Sequence, residues 1–88
     1  MKLIIAIIRD IDNERVSHAL TSKEFRVTYI ASTGGFLRKG QSTLLIGVED
    51  EHLEAALILI RENVTKPSDG DDTKTILFVV NVEDHMRF

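Results

Sequence analysis

Two short runs of uninterrupted apolar residues bracket this chain of 88 residues, one at positions 3–8 and the other at 76–80. A run of five or six, rich in β-branched residues, suits a buried strand within a sheet. Each is far below the roughly 20 residues needed to span a bilayer. The first ends at Arg9-Asp10 without a small-residue cleavage pattern, so it reads as a strand and not as a signal peptide. Whatever lies between has to return the chain from one buried strand to the other.

It does so with two alternations of helix and strand. Asp10 or Asp12 is suited to cap a helix over residues 13–24, whose weak apolar face is Val16, Ala19 and Leu20 with Lys23 at its edge. Residues 25–31 form a second strand, with Val27, Tyr29 and Ala31 on one side and Arg26, Thr28 and Ile30 on the other. Residues 41–49 form a third, with Thr43, Leu45 and Gly47 opposed to Leu44, Ile46 and Val48. Gly47 marks either a bulge or a close approach by a ligand or another backbone. Asp50 can cap a second helix over 51–63, whose stripe is Leu53, Ala56, Leu57, Ile60 and Val64, widened by Ala55, Ile58 and Leu59. Pro67 and Gly70 make residues 65–73 a breaker segment, and a last strand spans 74–82.

The order strand, helix, strand, strand, helix, strand makes two right-handed βαβ units. It predicts a single ferredoxin-like α+β domain over residues 1–88, a four-stranded antiparallel sheet with both helices on one face. The other face is left uncovered, and a symmetric oligomer is a natural cover for it. There is no cysteine, so neither a disulfide nor a thiolate metal site is available, and oligomerisation is a substitute source of stability.

The formal charge is −3, from 14 acidic and 11 basic residues, which argues against non-specific nucleic-acid binding. The composition points to a soluble cytoplasmic protein that neither crosses nor binds a membrane. His18, His52 and His85 lack the spacing of metal ligands, and Asp69, Asp71 and Asp72 lack the fuller pattern of a calcium loop. Residues 35–42 approach P-loop spacing, but Gln41 stands where the lysine belongs and a strand follows in place of a helix. Neither an enzyme nor a bound cofactor is expected.

The remaining feature is Thr33-Gly34-Gly35-Phe36-Leu37-Arg38-Lys39-Gly40. Three glycines in eight residues permit positive φ and close backbone approach. An aromatic ring, a leucine and two cations lie among them. Such a loop suits an anionic ligand with flat bases, and it equally suits a plug for a groove in a neighbouring subunit.

These residues, with the opening Met1-Lys2-Leu3-Ile4-Ile5-Ala6-Ile7, Phe25-Arg26-Val27-Thr28, Thr43, Gly47-Val48, Phe78-Val79 and Phe88, resemble the P-II-like cyclic di-AMP receptors of Gram-positive bacteria. The resemblance implies a non-enzymatic signalling homotrimer. It would bind cyclic di-AMP or a related adenine nucleotide between subunits and report to a protein target that the sequence does not identify. Carried over by position, it implies a pocket of Arg26, Thr28, Gly35, Phe36, Leu37, Gln41, Gly47, Phe78 and Arg87. Gln41 replaces the family's usual asparagine and Arg87 its usual glutamine, and the loop before the last strand is shortened to 65–73. The alternative is a trimeric interaction module that has lost nucleotide binding and acts through protein partners.

Overall fold

The computed structural model describes residues 1–31, 40–65 and 75–83. Strand β1 (Lys2–Arg9) leads directly into helix α1 (Asp10–Thr21), and β2 (Arg26–Ala31) and β3 (Gln41–Val48) follow. A 3-10 turn (Asp50–His52) opens into α2 (Leu53–Asn63), and β4 (Ile76–Asn81) ends the described fold. The strands lie in the order β2-β3-β1-β4, every neighbouring pair antiparallel, which is the ferredoxin-like α+β arrangement. No described helix is long and apolar enough to cross a membrane.

The period of two along each strand divides the sheet into two unlike faces. On one, Ile4, Ala6, Ile8, Leu44, Ile46 and Val48 meet Val16 and Leu20 of α1 and Ala56 and Ile60 of α2, and all ten are buried. At roughly 1.5–3 kcal/mol per fully buried aliphatic side chain, this layer carries most of the hydrophobic stabilisation. Leu53, Leu57, Leu59 and Val64 pack at its margin, whereas Ile58 and Ala55 point to solvent. The stripe of α2 is therefore narrower than its sequence implies.

The helices begin differently from the expectation. α1 starts at Asp10, and its N-cap Arg9 makes no side-chain capping bond. Neither aspartate caps it, because both carboxylates are engaged elsewhere. Asp10 accepts a hydrogen bond from the Ser42 hydroxyl. Asp12, wholly buried, accepts from the Thr65 amide at 3.0 Å, the Thr65 hydroxyl at 2.6 Å and the Arg15 guanidinium at 2.9 Å. Burial pushes the Asp12 pKa up, but the Thr65 hydroxyl and amide and then Arg15 outweigh it and hold the carboxyl below its ordinary value. The start of α1 is thus tied to the end of α2. Asp50 likewise caps nothing. It lies 3.2 Å from the Met1 amino group.

α1 ends at Thr21, three residues before the expected boundary. The Phe25 amide donates to the Leu20 carbonyl at 3.0 Å and the Glu24 amide to Thr21 at 2.9 Å, the pattern of a Schellman turn. Glu24 occupies its left-handed position with φ 67°, where glycine is usual.

Candidate functional site

Among the described residues, no helix covers the second sheet face. Register sorts its residues into three rows running from β2 to β4. Arg26, Gly47, Leu3 and Val80 form the first, and Thr28, Leu45, Ile5 and Phe78 the second. Ala31, Thr43, Ile7 and Ile76 form the third. Apart from Thr43, the face is apolar from β3 to β4, and it is polar towards β2. Phe78 remains 52% exposed and Ile76 and Val80 44% each. The run at 76–80 is therefore not buried within one chain, contrary to its sequence reading. It forms an edge strand beyond the helix layer, so that even Val79, on the helix side, is 44% exposed.

Four of the residues implied by the resemblance, Arg26, Thr28, Gly47 and Phe78, share this open face. Arg26 and Gly47 are directly paired. Phe78 lies on the opposite edge strand, three strand spacings or roughly 14 Å from β2. One chain therefore does not bring Arg26 and Phe78 to the same ligand group. Gln41 pairs with Arg9 at the far end of β3 and is only 6% exposed, so its side chain is largely enclosed within the chain. Gly35, Phe36, Leu37 and Arg87, and the segment 66–73, lie outside the described residues.

The end of the glycine-rich stretch is nonetheless fixed. Gly40 has φ 89°, which glycine adopts without a steric penalty, and its carbonyl accepts the Asp10 amide at 2.7 Å. With Ser42 bonded to the Asp10 carboxylate, the start of β3 is pinned to the start of α1.

Arg26 and Gly47 also border a cleft of about 420 Å³ at the other end of the sheet, with Lys23, Phe25, Glu49 and His52 among its walls. Phe25 and His52 meet edge to face with ring centroids 6.4 Å apart. Its charges are mixed, since Glu24 and Glu49 accompany Lys23 and Arg26. Gly47 is not at a bulge. The irregularity lies on β2 between Tyr29 and Ala31, where one extra residue brings Ala31 into register with Thr43. A Cβ on Gly47 would come within 2.9 Å of Met1 Cε, so close approach is the correct reading, and the approaching group is a side chain of the same protein.

Lys23, Phe25 and His52 at the cleft were not foreseen. They meet only because the Schellman turn and the 3-10 turn converge, and neither turn carries a glycine or proline signal. No cluster of three or more His, Cys, Asp or Glu side chains able to hold a metal occurs among the described residues.

A family model described as cyclic-di-AMP receptor matches residues 1–70. The fold is also similar to the crystal structure of a functionally unknown protein from Pediococcus pentosaceus ATCC 25745. The two agree with a TM-score of 0.77 at 27% identity, over 99% of this chain and 96% of that one.

Proposed function

This chain belongs to the cyclic-di-AMP receptor family, and from that premise we propose that it is a non-enzymatic sensor binding cyclic di-AMP between the subunits of a homotrimer. The observation that carries the reading is the open face. Arg26 and Thr28 stand at its β2 edge and Phe78 at its β4 edge, too far apart to serve one ligand within a chain. Apposing one copy's β2 edge to the next copy's β4 edge removes that separation. It also covers Ile76, Phe78 and Val80, whose exposure in a lone chain is unfavourable. Such a contact joins unlike surfaces, and repeated around an axis it closes into a ring.

On this reading the two edges have different tasks. Arg26 supplies a charge-assisted hydrogen bond to a phosphate oxygen, and Thr28 a hydroxyl beside it. Gly47 adds no side chain of its own to β3, and a planar group lying there would take the place of the Met1 side chain, which has to swing aside. Phe78 presents an apolar ring to adenine from the adjoining subunit, as Phe36 does from the glycine-rich stretch. Binding then has no bond-breaking step. Its output is a change in what the oligomer presents to a protein partner.

Titration calorimetry with cyclic di-AMP tests this. The wild-type protein is expected to release or absorb heat saturably. Arg26→Ala should weaken binding by roughly 1.5–3 kcal/mol, the range for a hydrogen bond to a charged group. Absence of heat with any adenine nucleotide would instead leave the family fold serving protein contacts alone.

A further inference from the structure

Five of the short hydroxyl side chains among the described residues make hydrogen bonds. Ser17 donates to Asn13, Thr21 and Ser22 to backbone carbonyls of α1, Ser42 to Asp10 and Thr65 to Asp12. Thr43 departs from that pattern. Its Oγ1 is buried, and it is the one buried side-chain nitrogen or oxygen among the described residues without a hydrogen-bond partner. The two neighbours Ser42 and Thr43 illustrate the difference. Ser42 points to the helix side and reaches Asp10, whereas Thr43 belongs to the open face between Ala31 and Ile7.

A buried hydroxyl without a partner has given up its water with nothing in return, which costs stability. Such a group points to a partner supplied from outside the chain. Its surroundings narrow the choice. Ile7 and Leu45 beside it offer no polar atom, while Thr28 stands opposite Leu45, one place diagonal to Thr43 and roughly 7–8 Å away. The β2 bulge begins at this point and breaks the regular pairing next to Thr43.

We infer that Thr43 is a further ligand-binding residue, its hydroxyl hydrogen-bonding a polar atom of the nucleotide that Arg26 and Thr28 hold on the open face. The inference rests on the nucleotide-sensor reading. A turn about χ1 carries the hydroxyl towards the face, exchanging places with the methyl group. Because a hydroxyl both donates and accepts, Thr43 contributes affinity without distinguishing an amino group from a carbonyl on the base.

The test compares wild type, Thr43→Val, Thr43→Ser and Arg26→Ala by three readouts: calorimetry with cyclic di-AMP, melting without ligand, and mass in solution. Valine keeps the shape and removes the hydroxyl. The expected result for Thr43→Val is an unlowered ligand-free melting point, an unchanged mass and about tenfold weaker binding, with Thr43→Ser close to wild type. A lowered ligand-free melting point would show that the hydroxyl has a partner within the chain, and a reduced mass would assign it to a subunit contact. Either overturns the inference. Wild-type affinity in Thr43→Val, with Arg26→Ala impaired, overturns it while sparing the sensor reading. If wild type itself binds no cyclic di-AMP, both fall.

Discussion

Strands β1 and β4 are composed almost alike and pair with each other residue for residue, yet they have opposite surroundings. In β1 the helix-side residues Ile4, Ala6 and Ile8 are fully buried, and Leu3, Ile5 and Ile7 on the open face are partly covered by their neighbours. In β4 only Leu77 is even half-buried. The difference follows from position. β1 has a strand on each side and helices over one face, whereas among the described residues β4 has one neighbouring strand and lies beyond the helix layer. Composition specifies that a segment is a strand and that it seeks burial. It does not specify whether the burial comes from the same chain. An apolar edge strand with a free backbone is a liability unless something covers it, and this one lacks the charged or proline residues that commonly protect such edges.

Truncation gives the largest contrast. Ile4→Ala should lower stability by about 2–5 kcal/mol at every protein concentration, because the cavity opens inside one chain. Phe78→Ala should cost a small fraction of that when the protein is dilute and progressively more as concentration rises, because the proposed assembly takes its cover from another molecule. Thermal melts across a hundredfold concentration range read both. Equal, concentration-independent losses would remove the distinction between the two strands.

That distinction also marks what was legible in the sequence. The six elements, their order and the antiparallel sheet follow from the apolar runs and the period-3.6 patterning, and alternation separates the two sides of β2 and β3 without saying which faces inward. Alternation also puts Arg26 and Thr28 on one side of β2, but that Gly47 and Phe78 share their face comes only from the register of the sheet. The exposure of β4 does not follow from patterning, since apolar runs at a sheet centre and at an edge look identical. Asp12 was equally opaque. An aspartate just after a strand has the composition of a cap, and only the return of Thr65, 53 positions later, makes it a buried anchor. The bulge at Tyr29–Ala31 carries no glycine and left no signal either.

Asp12 sharpens the comparison at an intermediate scale, since it ties together the helices that cover β1 and touches nothing on β4. Asp12→Asn should destabilise the fold by roughly 1–3 kcal/mol, since the amide satisfies the Thr65 and Arg15 donors less completely than a carboxylate. The pH dependence has a definite sign. The folded pKa lies below the ordinary value of 3.8, so this contribution is fully present above that value. It is lost as pH falls from 3.8 through the folded pKa. Denaturant melts of both proteins between pH 7 and pH 2 should therefore converge at the acid end, and parallel curves would contradict the assignment.

The smallest expected effect touches neither strand. Glu24→Gly relieves a left-handed residue at the end of α1 and should raise stability by about 0.5–1 kcal/mol, after allowing for the greater freedom of glycine in the unfolded chain. A loss of stability would show that the Glu24 side chain contributes a contact beyond its backbone position.

The central claim is that the open face of one chain is completed by the next. Sedimentation equilibrium of the unliganded protein tests it most directly. Three copies of a 9.9 kDa chain give a species of about 30 kDa, and Phe78→Asp, which places a charge on the β4 edge, should shift it towards the single chain. A wild-type mass of one chain at micromolar concentrations would contradict the account, because Arg26 and Phe78 would then have no common ligand to hold.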